Sequence, residues 1–345
     1  MEKKVEQNRK AIDFHGIRSD LLSDGNLIRL SVIMVASFVL MALLNPGMYL
    51  TGKNFLAMAY QFPEIGLFSI GVMIAMLMGG INLSVLGIGN LSAIIAAYIM
   101  IALEPQIGGV PAIAIGIASA LLVGLICGAL NGALIAWVGI PAMLATLGTM
   151  EMFSGIGIYL TKGAAVFGLP AQYEVIGAGT ILGIPIPLII FAVVVGLCIL
   201  VLQKKKFGQE VFLLGTNEKA ARFTGINTKA DIVKAHMLGG LLAAVAGVIM
   251  SSRTISAKAD YGSSYTLQCI LVAVLGGINP NGGFGKVGGV VMAILTLQFL
   301  SSGFNMMRAD SYFKTFVWGA VLIATLIINY YGNKLAGRKK TKAAS

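Results

Sequence analysis

Charge is scarce in this chain, and so are the side chains on which most catalysts depend. Only 11% of its 345 residues are charged, and it has two histidines and three cysteines. His15 and His236 are far apart and outside any H-E-x-x-H pattern, so a zinc hydrolase has no support. Cys127, Cys198 and Cys269 each fall within an apolar run, where they serve as small hydrophobes rather than as a disulfide framework. No G-x-S-x-G elbow with a histidine partner is present. Gly283-Phe284-Gly285-Lys286-Val287-Gly288 matches G-x-G-x-x-G by spacing, but no βαβ unit surrounds it. The same stretch fails as a P-loop, with Pro280 where the first glycine is needed and Val287 where Ser or Thr is needed. No cofactor is expected in this chain, and any ATP-driven work requires hydrolysis by another subunit.

What the chain has in abundance is apolar length. It is 57% hydrophobic with a mean hydropathy of +0.87. That composition describes an all-α, polytopic membrane helix bundle. The hydropathy pattern predicts about ten transmembrane helices. They run near Leu27–Met48, Glu64–Met78, Leu86–Leu103, Pro111–Val138, Pro141–Leu160, Ile184–Leu202, Ile232–Ser251, Tyr265–Gly276, Val287–Met306 and Phe313–Tyr330. The span from Pro111 exceeds the roughly 20 residues a crossing needs, so tilt, a kink or a protruding end is expected. The first 26 residues form a polar segment, 27–331 the transmembrane domain and 332–345 a basic tail. The polar amino terminus is unlike a cleaved signal peptide.

The net charge of +11 could suggest nucleic acid, so its placement decides. Eighteen of the 25 basic residues lie in 1–29, in the loop 203–234 and in the tail. Six others, Lys53, Lys162, Arg253, Lys258, Arg308 and Lys314, fall on the opposite side. By the positive-inside rule both termini and the central loop are cytoplasmic, in agreement with six spans before the loop and four after it. The basicity orients the chain in the lipid bilayer, and no nucleic-acid partner is expected.

Within that loop, Gly215 to Ile226 is punctuated as a short helix. Asn217 is the N-cap, Glu218 lies in the first turn, Glu218 and Arg222 are spaced as an i,i+4 ion pair, and Gly225 suits the left-handed C′ position. Ala220 and Ala221 fill its interior. Such a helix outside a bundle is either a docking element for a soluble partner or a solvated connector.

Two breaks interrupt the spans in matching ways. Met78-Gly79-Gly80-Ile81-Asn82 ends the second span and Leu275-Gly276-Gly277-Ile278-Asn279 the eighth, each followed by a glycine-rich restart. Broken helices at corresponding places point to a translocation path, although coincidence is the alternative in a chain with 44 glycines. Ser84 and Asn90 follow the first break and Gln268 precedes the second. Glu151 is the one acid expected mid-span, either facing a polar path or making a structural hydrogen bond. Gly124, Gly128 and Gly132 form a small-xxx-small ridge, expected to pack within the chain. Ser252 to Thr254 and Asp260 to Tyr265 form a polar outer mouth or an ordinary solvated loop.

The pattern G-x-N-x-x-A-x-R-x-x-G-I at 215–226, GGINLS at 79–84 and YTLQCILVAVLGGINPNGGFG at 265–285 resemble the permease subunits of bacterial ABC importers for simple sugars, of the ribose-permease type. The resemblance implies a multi-pass protein of the bacterial inner membrane. It also implies ABC ATPase subunits docked at the loop helix, an extracytoplasmic solute-binding protein, and a second permease subunit in a homo- or heterodimer. Members typically carry Asp where Asn82 stands, and an acidic pair where Thr266 and Gln268 stand, which leaves nucleosides and autoinducer-2 open as solutes. The competing class is an ion-coupled secondary transporter with Glu151 as its coupling residue. A pore would need rings of like residues on several spans, which are not evident.

Overall fold

The computed structural model describes residues 25–310 and 312–327. The amino-terminal segment up to residue 24 and the basic tail lie outside the described residues, as does the end of the last span.

The described residues form helices joined by turns and loops, with a two-stranded hairpin, Thr180–Ile181 with Ile184–Pro185. Its helices are α1 (Gly25–Leu44), α2 (Gly52–Leu77), α3 (Val85–Ile107), α4 (Gly109–Ala133), α5 (Ala142–Thr161), α6 (Glu174–Ala178), α7 (Ile186–Ile199), α8 (Lys206–Thr216), α9 (Glu218–Phe223), α10 (Thr228–Thr254), α11 (Tyr265–Leu275), α12 (Val287–Met306) and α13 (Tyr312–Ile327). Eight of these, extended in two cases by a π-helical turn, are long and apolar enough to cross a membrane; α11 and α13 are shorter apolar helices. Among the described residues the expected ten therefore appear as eight full spans and two shorter helices.

Helix α10 is the hub, packing on α2, α3, α4 and α6. Its glycines meet glycines on three neighbours: Gly239 faces Gly71 of α2, Gly240 faces Gly124 of α4, and Gly247 faces Gly89 of α3. A Cβ on Gly240 would collide with the Gly124 carbonyl oxygen, and one on Gly128 with the carbonyl of His236. Lipid supplies no hydrophobic push between helices, so close backbone approach, with its dispersion gain, is what holds them together. The ridge on α4 thus finds its partner within the chain.

Two boundaries differ from expectation. The segment Thr51–Pro63, which the expected bounds leave between the first two spans, is helical: Thr51 Oγ1 accepts from Asn54 N at 3.3 Å, and α2 runs from Gly52 through Pro63. Its polar side chains look inward to partners. Asn54 Oδ1 accepts from Ser302 at 2.6 Å, and Gln61 Oε1 accepts from Gln298 at 3.3 Å. Helix α4 absorbs its excess length by unwinding into a π turn, Leu134–Val138.

Overpacking these crossings would cost about 1–3 kcal/mol or more. Gly240→Val should lower the thermal midpoint of the detergent-purified protein sharply, whereas Gly148→Ala on α5, where a Cβ meets nothing within 4 Å, should leave it unchanged.

Candidate coupling and translocation site

The loop helix forms as its sequence dictates. Asn217 Oδ1 accepts from Ala220 N at 3.0 Å, and Gly225 closes the helix at φ +84°. Ala221 is buried beneath it, while Arg222 and Gly225 face outward and Ile226 is half-buried. The expected ion pair is absent: Glu218 and Arg222 are both exposed and make no salt bridge with each other, the pair being worth too little in water to hold two long side chains. Phe223, which the sequence reading passed over, is 92% exposed at the tip of this helix. An aromatic standing so far into solvent is the type of anchor that buried interfaces use.

Behind α9, Gly215 joins the two breaks. Gly283 N donates to Leu77 O at 2.9 Å, and a Cβ on Gly215 would collide with that same carbonyl oxygen. The breaks share one logic but not one register. Gly80 N reaches Ala75 O at 3.1 Å with Gly79 at φ +83°, and Ile278 N reaches Ala273 O at 3.1 Å with Gly277 at φ +82°. Both are Schellman-type ends requiring a left-handed residue, offset by one position within Gly-Gly-Ile-Asn. Each asparagine then holds the restart: Asn82 Oδ1 accepts from Ser84 N at 3.0 Å, and Asn279 Oδ1 from Asn281 N at 3.0 Å. Each break also opens on a cavity, of about 350 Å³ beside Gly79 and Gly80 and about 360 Å³ beside Gly276 and Gly277.

Asn82, Ser84 and Asn131 form a buried chain, with Ser84 donating to Asn82 Oδ1 at 2.7 Å and Asn131 Nδ2 to Ser84 Oγ at 2.6 Å. Asn82 uses only one oxygen here, which explains how an amide can stand where an acid is typical; its Nδ2 is buried without a protein partner. Asn90 does not join this chain. Its Nδ2 donates to Ala259 O and Tyr261 O at 2.9 Å each, so it clamps the outer loop from within, while Asp260, Ser263 and Ser264 of that loop remain exposed. Gln268 borders a narrow void beside Gln298.

Glu151 is not the sole embedded acid, and it borders neither cavity. It lies on the exposed face of α5, between Gly148 and Gly155, neither of which has a neighbour where a Cβ would stand. The enclosed acid is Glu64, 1% exposed at the middle of α2. Its Oε1 accepts from Arg253 at 2.8 Å and from the Tyr265 hydroxyl at 3.0 Å, tying α2 to α10 and α11, while Oε2 has no partner. Arg253, assigned to the outer mouth from sequence, turns inward because a buried carboxylate without a counter-charge is the costlier arrangement. Taking Glu64 as the first residue of a span concealed it. The usable signal was an acid and a base that topology brings to the same side.

Residues 54–326 match the family described as the branched-chain amino acid transport system / permease component. This chain belongs to that permease family. The permease is 32% identical over 94% of its length to the ribose import permease protein RbsC of Bacillus subtilis (strain 168), of which the match covers 97%. It is 30% identical over 83% of its length to the D-allose transport system permease protein AlsC of Escherichia coli (strain K12), covering 86% of that protein. It is also 30% identical over 87% of its length to the autoinducer 2 import system permease protein LsrD of Yersinia enterocolitica, covering 90%. No solved structure matches it. The permease is a multi-pass membrane protein, and the likeness spans both breaks and the loop helix.

Removing one partner of the Glu64–Arg253 pair should destabilise by about 3–5 kcal/mol. In SDS-titrated unfolding, Arg253→Met is expected to lose this much and Arg253→Met with Glu64→Gln to recover most of it; equal losses would separate the two residues energetically.

Proposed function

We propose that this chain is the membrane-spanning subunit of an ATP-binding-cassette importer, conducting a small polar solute of the ribose or galactose type. Its relatives are named for ribose, allose and autoinducer 2, all reached at about 30% identity over most of both chains. The observation that carries the mechanism is the junction at Gly215. There the end of α8, which leads directly into the solvent-facing helix α9, packs on Leu77 at the first break and on Gly282–Gly283 in the loop after the second.

A partner ATPase docks on Phe223 and Arg222. ATP-driven closure displaces α9, and because Gly215 has no side chain to yield, the displacement passes to the two breaks and the cavities beside them. The loop only transmits; directional bias comes from different contacts in the ATP-bound and free states of the ATPase. Hydrolysis belongs to that partner, and this chain is not an enzyme. The solute arrives from an extracytoplasmic binding protein.

A second permease subunit completes the path against α5. The two least apolar spans are α2 and α5; the first is enclosed by other helices, the second is largely uncovered and carries Glu151. A carboxylate facing lipid at mid-span would cost about 2.5–3.5 kcal/mol, so protein or water covers that face.

Affinity purification from the native membrane with mass spectrometry should recover an ATPase, a binding protein and that protein's co-purified sugar. Phe223→Ala and Arg222→Glu are expected to lose the ATPase and at least tenfold of the uptake, with membrane insertion unchanged. A partner-free protein that transports in liposomes without ATP would overturn the reading and favour an ion-coupled carrier.

A further inference from the structure

The cavity between α9 and the first break has a chemistry that coupling does not require. It measures about 350 Å³, within the range of small-molecule pockets, roughly 300–1,000 Å³. Most of its wall is apolar or backbone, including Gly79, Gly80 and Pro141. Only two of its lining side chains carry hydrogen-bonding groups that could fix a ligand, His236 of α10 and Glu218 of α9.

His236 is 3% exposed, and its Nδ1 lies 2.9 Å from the Ile232 carbonyl oxygen. A carbonyl can only accept, so Nδ1 carries the proton, and in the neutral ring Nε2 is left as a lone-pair acceptor. Nε2 is buried and has no hydrogen-bond partner among the described residues. Glu218, also in the lining, is an acceptor with no salt bridge among the described residues. The lining contains no Lys, Arg, Ser, Thr or Asn, so its side chains provide acceptors and no cation. An anion is disfavoured there. A metal ion would find two side-chain ligands, fewer than the three or four that a protein zinc site supplies. The complementary occupant is neutral and donor-rich, with C–H faces to lie on the apolar wall.

We infer that this cavity is an inner subsite for a neutral polyhydroxylated solute, whose hydroxyls donate to His236 Nε2 and Glu218. The inference rests on the sugar-importer reading and extends it. The solute pauses there, between the helix that receives the ATPase stroke and the break that the stroke moves.

The test uses the purified full chain in nanodiscs, with D-ribose and D-galactose as probes in saturation-transfer NMR and ribose 5-phosphate as the anionic control. At least one neutral sugar should bind and the phosphate should not. His236→Leu should weaken sugar binding at least tenfold, and His236→Gln, which returns an acceptor oxygen at similar reach, should restore it. If His236→Leu fails to fold, Glu218→Ala on the solvated helix, which removes the acceptor, carries the test, with the same expected direction. Absence of binding by both sugars, unaltered binding in the variants, stronger binding of ribose 5-phosphate, or displacement of the sugar by Zn²⁺ would each overturn the subsite. An importer that takes up either sugar with ATP but shows no permease-bound sugar loses the subsite and keeps its function. A permease that recovers no ATPase loses the importer reading independently of the NMR result.

Discussion

Helix α10 touches the backbones of three other helices, and the rest of the molecule depends on those contacts. Gly239, Gly240 and Gly247 let it lie against Gly71, Gly124 and Gly89 without an intervening side chain. In a bilayer such packing substitutes for the hydrophobic drive that assembles soluble cores. It leaves α10 as a rigid member running from the cytoplasmic junction at His236 to the outer ion pair at Arg253. Both ends carry a polar group that this packing encloses.

The two ends solve opposite electrostatic problems. At Arg253 the chain brings a full charge inward to meet Glu64, with Tyr265 adding a second donor to the same oxygen. Such a pair fixes the relative placement of α2, α10 and α11 more than it adds net stability, because desolvation offsets much of the attraction. At His236 the chain leaves an acceptor unpaired beside a cavity. Between these ends lies the Asn82–Ser84–Asn131 chain, which holds the start of α3 directly after the first break.

Much of this was legible in the residues. Asn217 and Gly225 identify the loop helix because capping is a local effect, satisfied within a few positions along the chain. The Gly79 and Gly277 breaks were legible for the same reason, although their one-residue offset was not, since either glycine of a pair can take the left-handed position. Glu64 was missed because hydropathy averages over a window. A polar residue near a proline lowers that average whether it faces water or an ion-pair partner 189 positions away. Glu151 stands at mid-span as expected, but its uncovered face was not legible, because periodicity along one helix does not say which neighbours cover which face.

By itself the sequence determined the class of molecule, the apolar helices, the capped loop helix and the two glycine breaks. Each depends on composition or on interactions within about one helical turn. Only the tertiary structure decided that the breaks meet at Gly215, that Arg253 turns inward to Glu64, that Asn90 clamps the outer loop, and that Glu151 lies on a face this chain does not cover. Those outcomes depend on which helices approach closely enough for their polar groups to pair. Such approach is set by small residues on separate helices acting together.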